Sequence, residues 1–106
     1  MTERLFVYGT LKNARIQKVV FGRSEPGEPD ELVGFSLSSL KMGSLTCPVV
    51  VSDPSSSVMG IVISVTPEEL RRIDRYETEA YMRVRVTLKS GINTWVYIEN
   101  REYKDR

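Results

Sequence analysis

The sequence predicts an α+β fold, and three stretches carry that expectation. Val58-Met59-Gly60-Ile61-Val62-Ile63-Ser64-Val65 is the most continuously apolar run, the pattern of a central strand covered on both faces. Thr66-Pro67-Glu68-Glu69 follows it and has the form of a capping box, with Thr66 as N-cap, Pro67 at the first helical position and Glu69 placed to reach back to the Thr66 amide. From Tyr81 to Leu88 the residues alternate: Met82, Val84, Val86 and Leu88 share one face, and Tyr81, Arg83, Arg85 and Thr87 the other. That two-residue period belongs to a half-buried strand. At 106 residues the chain is expected to form a single domain, 1–106, with a modest core.

Taken in order, the apolar run Leu5 to Tyr8 reads as a buried first strand, and Gly9 permits a turn that a side chain would obstruct. If the amides of Gly9, Thr10 and Leu11 point the same way, they form a concave set of donors able to hold a carboxylate or phosphate without a cation. An ordinary structural turn is the alternative. Asn13 to Phe21 can carry a short helix with Ile16, Val19 and Val20 on one side, ended by Gly22. Residues 22–29 are polar and contain two prolines, which predicts a loop free to flap over a pocket. Asp30 to Leu40 reads as a strand or irregular hairpin arm, Met42-Gly43-Ser44 as a turn, Cys47 to Val51 as a short strand starting at a proline, and Asp53 to Ser57 as another turn. The capped helix is expected to run to about Tyr76. After the alternating strand, Ser90-Gly91 turns the chain back into Asn93 to Ile98, giving a hairpin. The charged tail from Glu99 is expected to fray.

Composition narrows the function classes. Lys plus Arg number 15 against 14 Asp plus Glu, so no charge excess draws the chain to nucleic acid or to an anionic membrane, and a small-molecule partner is favoured. The single cysteine, Cys47, leaves no internal disulfide and fits a reducing cytoplasm. No run approaches the roughly 20 apolar residues of a membrane span, and the amino terminus lacks the layout of a signal peptide, so a cytoplasmic location is expected. There is no histidine. Ser-His-Asp and Cys-His machinery and histidine metal sites are therefore excluded, and one cysteine cannot build a thiolate zinc site. Proton transfer falls to a carboxylate, a lysine, a tyrosine or the thiol.

The capped helix supplies the candidate. Glu77 lies seven residues after Leu70 and four after Ile73, so an unbroken helix puts all three on one stripe, while Arg71, Arg72 and Arg75 mostly face elsewhere. A carboxylate on the inward stripe resists ionisation, and a raised pKa suits a general acid/base working near neutrality. The competing reading is structural: Glu77 at a frayed end, in solvent, or paired with Arg83 or Arg85.

Tyr8-Gly9-Thr10-Leu11 after a first strand, followed by Ile73-Asp74-Arg75-Tyr76-Glu77 and then Tyr81-x-Arg83, resembles the gamma-glutamylcyclotransferase-like group, including the AIG2-like proteins. Leu32-x-Gly34-Phe35, the stretch from Gly43 to Pro48-Val49-Val50, and Gly60-Ile61-Val62 follow that pattern in order, so the resemblance covers Leu5 to Ile98. It implies a small mixed β-barrel with one or two flanking helices and a cavity at one end. There Tyr8, Gly9, Thr10 and Leu11 would line the substrate site, Glu77 would be the catalytic acid/base, and Tyr81 would line the cavity. The implied reaction is intramolecular: the α-amine of a gamma-glutamyl group attacks its own γ-carbonyl, expelling an amine or amino acid and closing 5-oxoproline. That reaction needs no metal or cofactor. Arg83 matches the motif, but a strand arginine is more often ion-paired or solvated than catalytic.

Departures from the pattern bear on the site. Thr78 stands where these proteins commonly have a glycine after the catalytic glutamate, which leaves the helix exit and the aim of the carboxylate open. Cys47 stands where an aromatic residue often precedes the proline, and reads as a small buried filler. The chain is also short for the family and without its extra carboxy-terminal segments, which implies a small substrate or an open pocket. Two functions follow: an enzyme of this cyclising type, or a non-catalytic carboxylate-binding or regulatory module on the same fold with Glu77 merely structural. Oligomeric state is not encoded in any pattern seen here, and nucleic-acid binding finds no basic cluster or aromatic stacking motif.

Overall fold

The computed structural model describes residues 1–100. In chain order the elements are β1 (Glu3–Val7), a 3-10 turn (Thr10–Lys12), α1 (Ala14–Phe21), β2 (Glu28–Met42), β3 (Leu45–Val65), α2 (Pro67–Glu77), β4 (Tyr81–Thr87) and β5 (Asn93–Glu99). The tail beyond Asn100, expected to fray, lies outside the described residues. The strands form one mixed sheet in the order β2-β3-β1-β5-β4, with β1 antiparallel to β3 and parallel to β5. The sheet curls into a half-barrel flanked by the two helices, so the fold is α+β.

Alternation along β1 explains why its run is apolar throughout. Leu5 and Val7 point to the helix side, where they meet Phe21 of α1 and Leu70 and Ile73 of α2. Phe6 points into the curl, against Leu32, Val50, Val62 and Val96. With both faces covered there, Leu5, Phe6 and Val7 all contribute burial, about 1.5–3 kcal/mol for each large aliphatic or aromatic side chain taken from water.

The capping box forms as expected: the Thr66 hydroxyl accepts from the Glu69 amide at 3.1 Å, and Glu69 Oε1 accepts from the Thr66 amide at 2.9 Å. Asn13 caps α1, its Oδ1 accepting from the Arg15 and Ile16 amides, and Gly22 ends it in the left-handed region. The buried face of α1 differs from expectation. Val19 is 86% exposed, and Gln17 and Phe21 point inward. Gln17 is drawn in because two backbone groups there need partners: its Nε2 donates to the Leu11 carbonyl at 2.7 Å, and its Oε1 accepts from the Glu25 amide at 2.6 Å.

Residues 22–27 do not form a flap. Arg23 grips Glu69 through Nε at 2.8 Å and Nη2 at 3.0 Å and also donates to the Ser64 carbonyl, which fastens the loop to the start of α2. The Arg23 hydrogen bond holds the Glu69 carboxyl below the usual range. The turn expected at Asp53 to Ser57 is instead a bulge inside β3. Pairing jumps from Val33 with Ser57 to Phe35 with Ser52, so Asp53 to Ser56 face only Gly34. The Asp53 carboxylate accepts from Ser55 and Ser56 locally, and the ladder resumes on either side without a chain reversal. Pro48 sits inside β3 rather than at its start; β1 covers only Ile61 to Val65 of that strand, so at Pro48 the ladder to β2 is the only one present. Among the described residues no helix is long and apolar enough to cross a membrane.

Candidate active site

Where β1 stops at Val7 and β3 continues past it, a gap opens between the 3-10 turn, the early part of β3 and the end of α2. A cavity of about 340 Å³ fills this gap. Tyr8, Gly9, Thr10, Leu11, Glu77 and Tyr81, the six candidate residues read from the sequence, all line it. Cys47 and Pro48 of β3 form the facing wall, and Tyr97 of β5 the floor beside Tyr8.

Gly9 is required here by space. A Cβ at this position would stand 3.0 Å from the Pro48 ring, tight enough to force that wall back. The turn after it closes through the Lys12 and Asn13 amides, which donate to the carbonyls of Gly9 and Thr10. The amides of Thr10 and Leu11 open that turn, so they have no acceptor within it. At the mouth, the hydroxyls of Thr10 and Tyr76 share a hydrogen bond at 2.8 Å, joining the turn to the end of α2.

Glu77 is the last residue of α2 and is largely buried. Burial pushes its carboxyl up to about 7. Among the described residues no side chain donates to that carboxylate and no cation pairs with it. Both arginines that sequence reasoning offered as partners are engaged elsewhere: Arg83 binds Asp74 through Nε at 2.6 Å and Nη2 at 2.9 Å, Arg85 approaches Glu3 at 3.8 Å, and both lie over the Trp95 ring. Arg83 thus takes the ion-paired role that a strand arginine usually has.

Three phenols surround the acid, and each hydroxyl already donates to the protein. Tyr8 donates to the Tyr97 carbonyl at 2.7 Å, Tyr81 to the Pro48 carbonyl at 2.7 Å, and Tyr97 to Asp74 Oδ1 at 2.6 Å. Burial first, and the Glu77 charge among the lesser causes, raise all three above the ordinary tyrosine value, so they stay protonated at neutral pH. Sequence reading missed Tyr97 as a wall of the site. The signal was present, since in the hairpin register Tyr97 pairs with Arg83 and so falls on the face that Tyr81 shares.

A wider groove of about 520 Å³ lies on the far side of Tyr81, Tyr97 and Thr78, bordered by Arg75, Met82 and Trp95. Its Asp74 is gripped by Arg83, whereas the smaller cavity holds the raised carboxyl of Glu77. The smaller cavity is the better candidate on that chemistry. Among the described residues, no group of three or more Cys, Asp or Glu side chains is placed to hold a metal ion.

Residues 5–106 match the family model described as gamma-glutamyl cyclotransferase, AIG2-like. The chain belongs to this family. Protein AIG2 C of Arabidopsis thaliana is 30% identical over 105 residues, an overlap that takes in 92% of this chain and 62% of that protein. The chain therefore spans less than two thirds of the length of this curated relative. The solution structure of an Arabidopsis thaliana protein superposes with a TM-score of 0.80 at 28% identity, covering 93% of this chain and 62% of the other. A structure named gamma-glutamyl cyclotransferase gives 0.73 at 17% identity over 94% and 68% of the two chains, a likeness of fold.

One departure from the gamma-glutamyl cyclotransferase, AIG2-like pattern now has a structural answer. Thr78 keeps the backbone that a glycine would adopt, with φ 66° and ψ −175°, and is the only non-glycine residue at positive φ among those described. That region is nearly closed to β-branched residues, so Thr78 is strained. Its hydroxyl accepts from the Ala80 amide at 3.3 Å and its own amide donates to the Asp74 carbonyl at 3.1 Å, which keep the exit from α2 in place.

Proposed function

We propose that the chain is a gamma-glutamyl cyclotransferase-type enzyme that closes 5-oxoproline from a small gamma-glutamyl amine or gamma-glutamyl amino acid. The observation that carries this reading is Glu77: a carboxyl without an ion-pair partner among the described residues and pushed up to about 7, in a cavity faced by the Gly9 to Leu11 turn. Nucleophile and electrophile belong to one molecule, so the site has only to fold the substrate into a near-attack shape and carry protons from the attacking to the departing nitrogen.

In this scheme the Glu77 carboxylate takes a proton from the substrate α-ammonium and exposes the lone pair. The amine attacks the γ-carbonyl, and the new C–N bond leaves an oxyanion on the tetrahedral carbon. Glu77 then delivers that proton to the departing nitrogen as the oxyanion restores the carbonyl and the C–N bond breaks. The surplus proton left on the ring nitrogen passes by way of the same carboxylate to the released amine, so one carboxyl serves both halves. The Tyr8, Tyr81 and Tyr97 hydroxyls already donate elsewhere, which leaves the backbone amides of Gly9 to Leu11 to hold the α-carboxylate or the oxyanion. The three rings keep water from the acid, and that desolvation is what raises it.

The proposal extends to the setting: residues 1–106 acting as one cytoplasmic domain, on a small-molecule substrate, with neither nucleic acid nor membrane as partner and no cofactor needed. A panel of gamma-glutamyl compounds assayed for released 5-oxoproline tests it. Glu77→Gln should bind the same compounds while losing turnover by about 10²–10⁴-fold, and the parent rate should rise with pH around 7 as Glu77 ionises. A glutamine variant as fast as the parent would remove Glu77 from the mechanism. Binding by the parent without release would favour the non-catalytic carboxylate-binding module.

A further inference from the structure

Glu77 carries out no proton transfer unless it is aimed, yet among the described residues no side chain grips its carboxylate, and the residue after it is strained. Its placement must come from the backbone that carries it. One turn earlier, Asp74 is the meeting point of three elements. Its carboxylate accepts from Arg83 Nε and Nη2 of β4, at 2.6 and 2.9 Å, and from the Tyr97 hydroxyl of β5 at 2.6 Å. Its carbonyl accepts from the amide of Thr78, directly after Glu77.

Each partner is itself fixed. A two-toothed arginine–carboxylate contact sets both groups in one plane, and the Arg83 guanidinium rests 4.4 Å from the Trp95 ring centre. Trp95 is anchored in turn by donating to Glu3 Oε1 at 2.9 Å on β1. Partial burial acts to raise the Asp74 carboxyl, but the bonds from Arg83 and Tyr97 outweigh it and hold the group below its ordinary value, so the contact persists across neutral pH. Tyr97 lines the cavity and its carbonyl takes the Tyr8 hydroxyl. One cluster therefore fixes the helix end that carries the acid and the wall that faces it.

We infer that Asp74 and Arg83 are positioning residues, which pin the last turn of α2 to β4 and β5 and so hold Glu77 inside the cavity at the attitude proton transfer requires. This rests on the acid/base reading of Glu77. The competing account is that the pair only fastens an end of α2 to its neighbours, as Arg23 of the 22–27 loop and Glu69 do at the other end. That second fork supplies the control.

The experiment follows the side-chain carboxyl of Glu77 by carbon NMR titration in the full chain, for the parent, Asp74→Asn, Arg83→Lys and Arg23→Lys. The groups facing Glu77 are Tyr8 just after β1, Cys47 from β3, Tyr81 from β4 and Tyr97 from β5, with Tyr76 beside it, and none of these is altered. The parent and Arg23→Lys should titrate near 7. In Asp74→Asn and Arg83→Lys the released helix end lets water reach the acid, and the midpoint should fall by about one pH unit, tenfold in proton affinity. In 5-oxoproline release the same two variants should lose kcat on the order of tenfold or more while KM stays within about twofold, with the acid limb moving alongside the titration. Folded Asp74→Asn and Arg83→Lys proteins that keep the parent midpoint would overturn the inference, as would an equal shift in Arg23→Lys. If the parent releases no 5-oxoproline from any compound, the proposed function fails, and the titration still decides whether the cluster holds Glu77.

Discussion

Replacing Glu77 by glutamine should make the protein more stable at alkaline pH, and the size of the gain follows from the site. Burial takes the carboxyl from its ordinary 4.5 to about 7. That is roughly 300-fold in proton affinity, or about 3 kcal/mol at 1.36 kcal/mol per pH unit. The sign is the reverse of a salt-bridged acid. Between 4.5 and 7 the unfolded chain has lost this proton while the native state keeps it, so native binding exceeds unfolded binding and stability falls as pH rises. The contribution is fully present below about 4.5, declines through the window, and is gone above about 7. Glutamine fills the same space and never ionises. Urea unfolding of parent and Glu77→Gln at pH 5 and pH 8 should therefore show a small difference at the lower pH and a gain for the variant of about 2–3 kcal/mol at the higher one. For a domain of this size that is a rise of about 10 °C or more in Tm. Equal stability of the two proteins at pH 8 would mean that Glu77 ionises freely, and the argument from a dry cavity would be lost.

Two further outcomes test the surroundings of the site. Thr78→Gly should raise stability by about 1 kcal/mol in denaturant melts, because release of the positive-φ strain exceeds the added freedom of the unfolded chain and the loss of the long bond to Ala80; a loss of stability would show that the threonine is at ease there. Gln17→Leu should cost about 3 kcal/mol despite adding an apolar side chain to a position only 1% exposed, since the Leu11 carbonyl and the Glu25 amide would both be left without a partner. A cost under about 1 kcal/mol would mean that water replaces the amide.

Local chemistry was legible in the sequence because its interactions run between near neighbours. The bonds between Thr66 and Glu69 that start α2, the Gly22 stop of α1, and the alternation of β4 each close within a few residues. The stripe of Leu70, Ile73 and Glu77 needed only the helical period, and with it came the expectation of a raised carboxyl. Where competing local signals existed, the sequence could not choose. Asp53 to Ser57 has turn chemistry, and only the ladder to β2 on both sides makes it a bulge. Ile16, Val19 and Val20 look like the core face of α1; Ile16 and Val20 do pack on the core, while the two backbone groups met by Gln17 bring that side chain in and leave Val19 exposed.

The amino-acid order therefore determined where the helices begin and end, which strands are apolar, and that Glu77 shares a stripe with Leu70 and Ile73. Tertiary structure alone decided that Arg83 binds Asp74 rather than Glu77, that Tyr97 completes the wall, and that the Tyr8 to Leu11 turn and the end of α2 meet across one cavity. The reason is one of range. Capping and periodicity are settled by residues three or four apart, whereas the choice of partner for a charge depends on sheet register and crossing helices that bring together residues far apart in the chain.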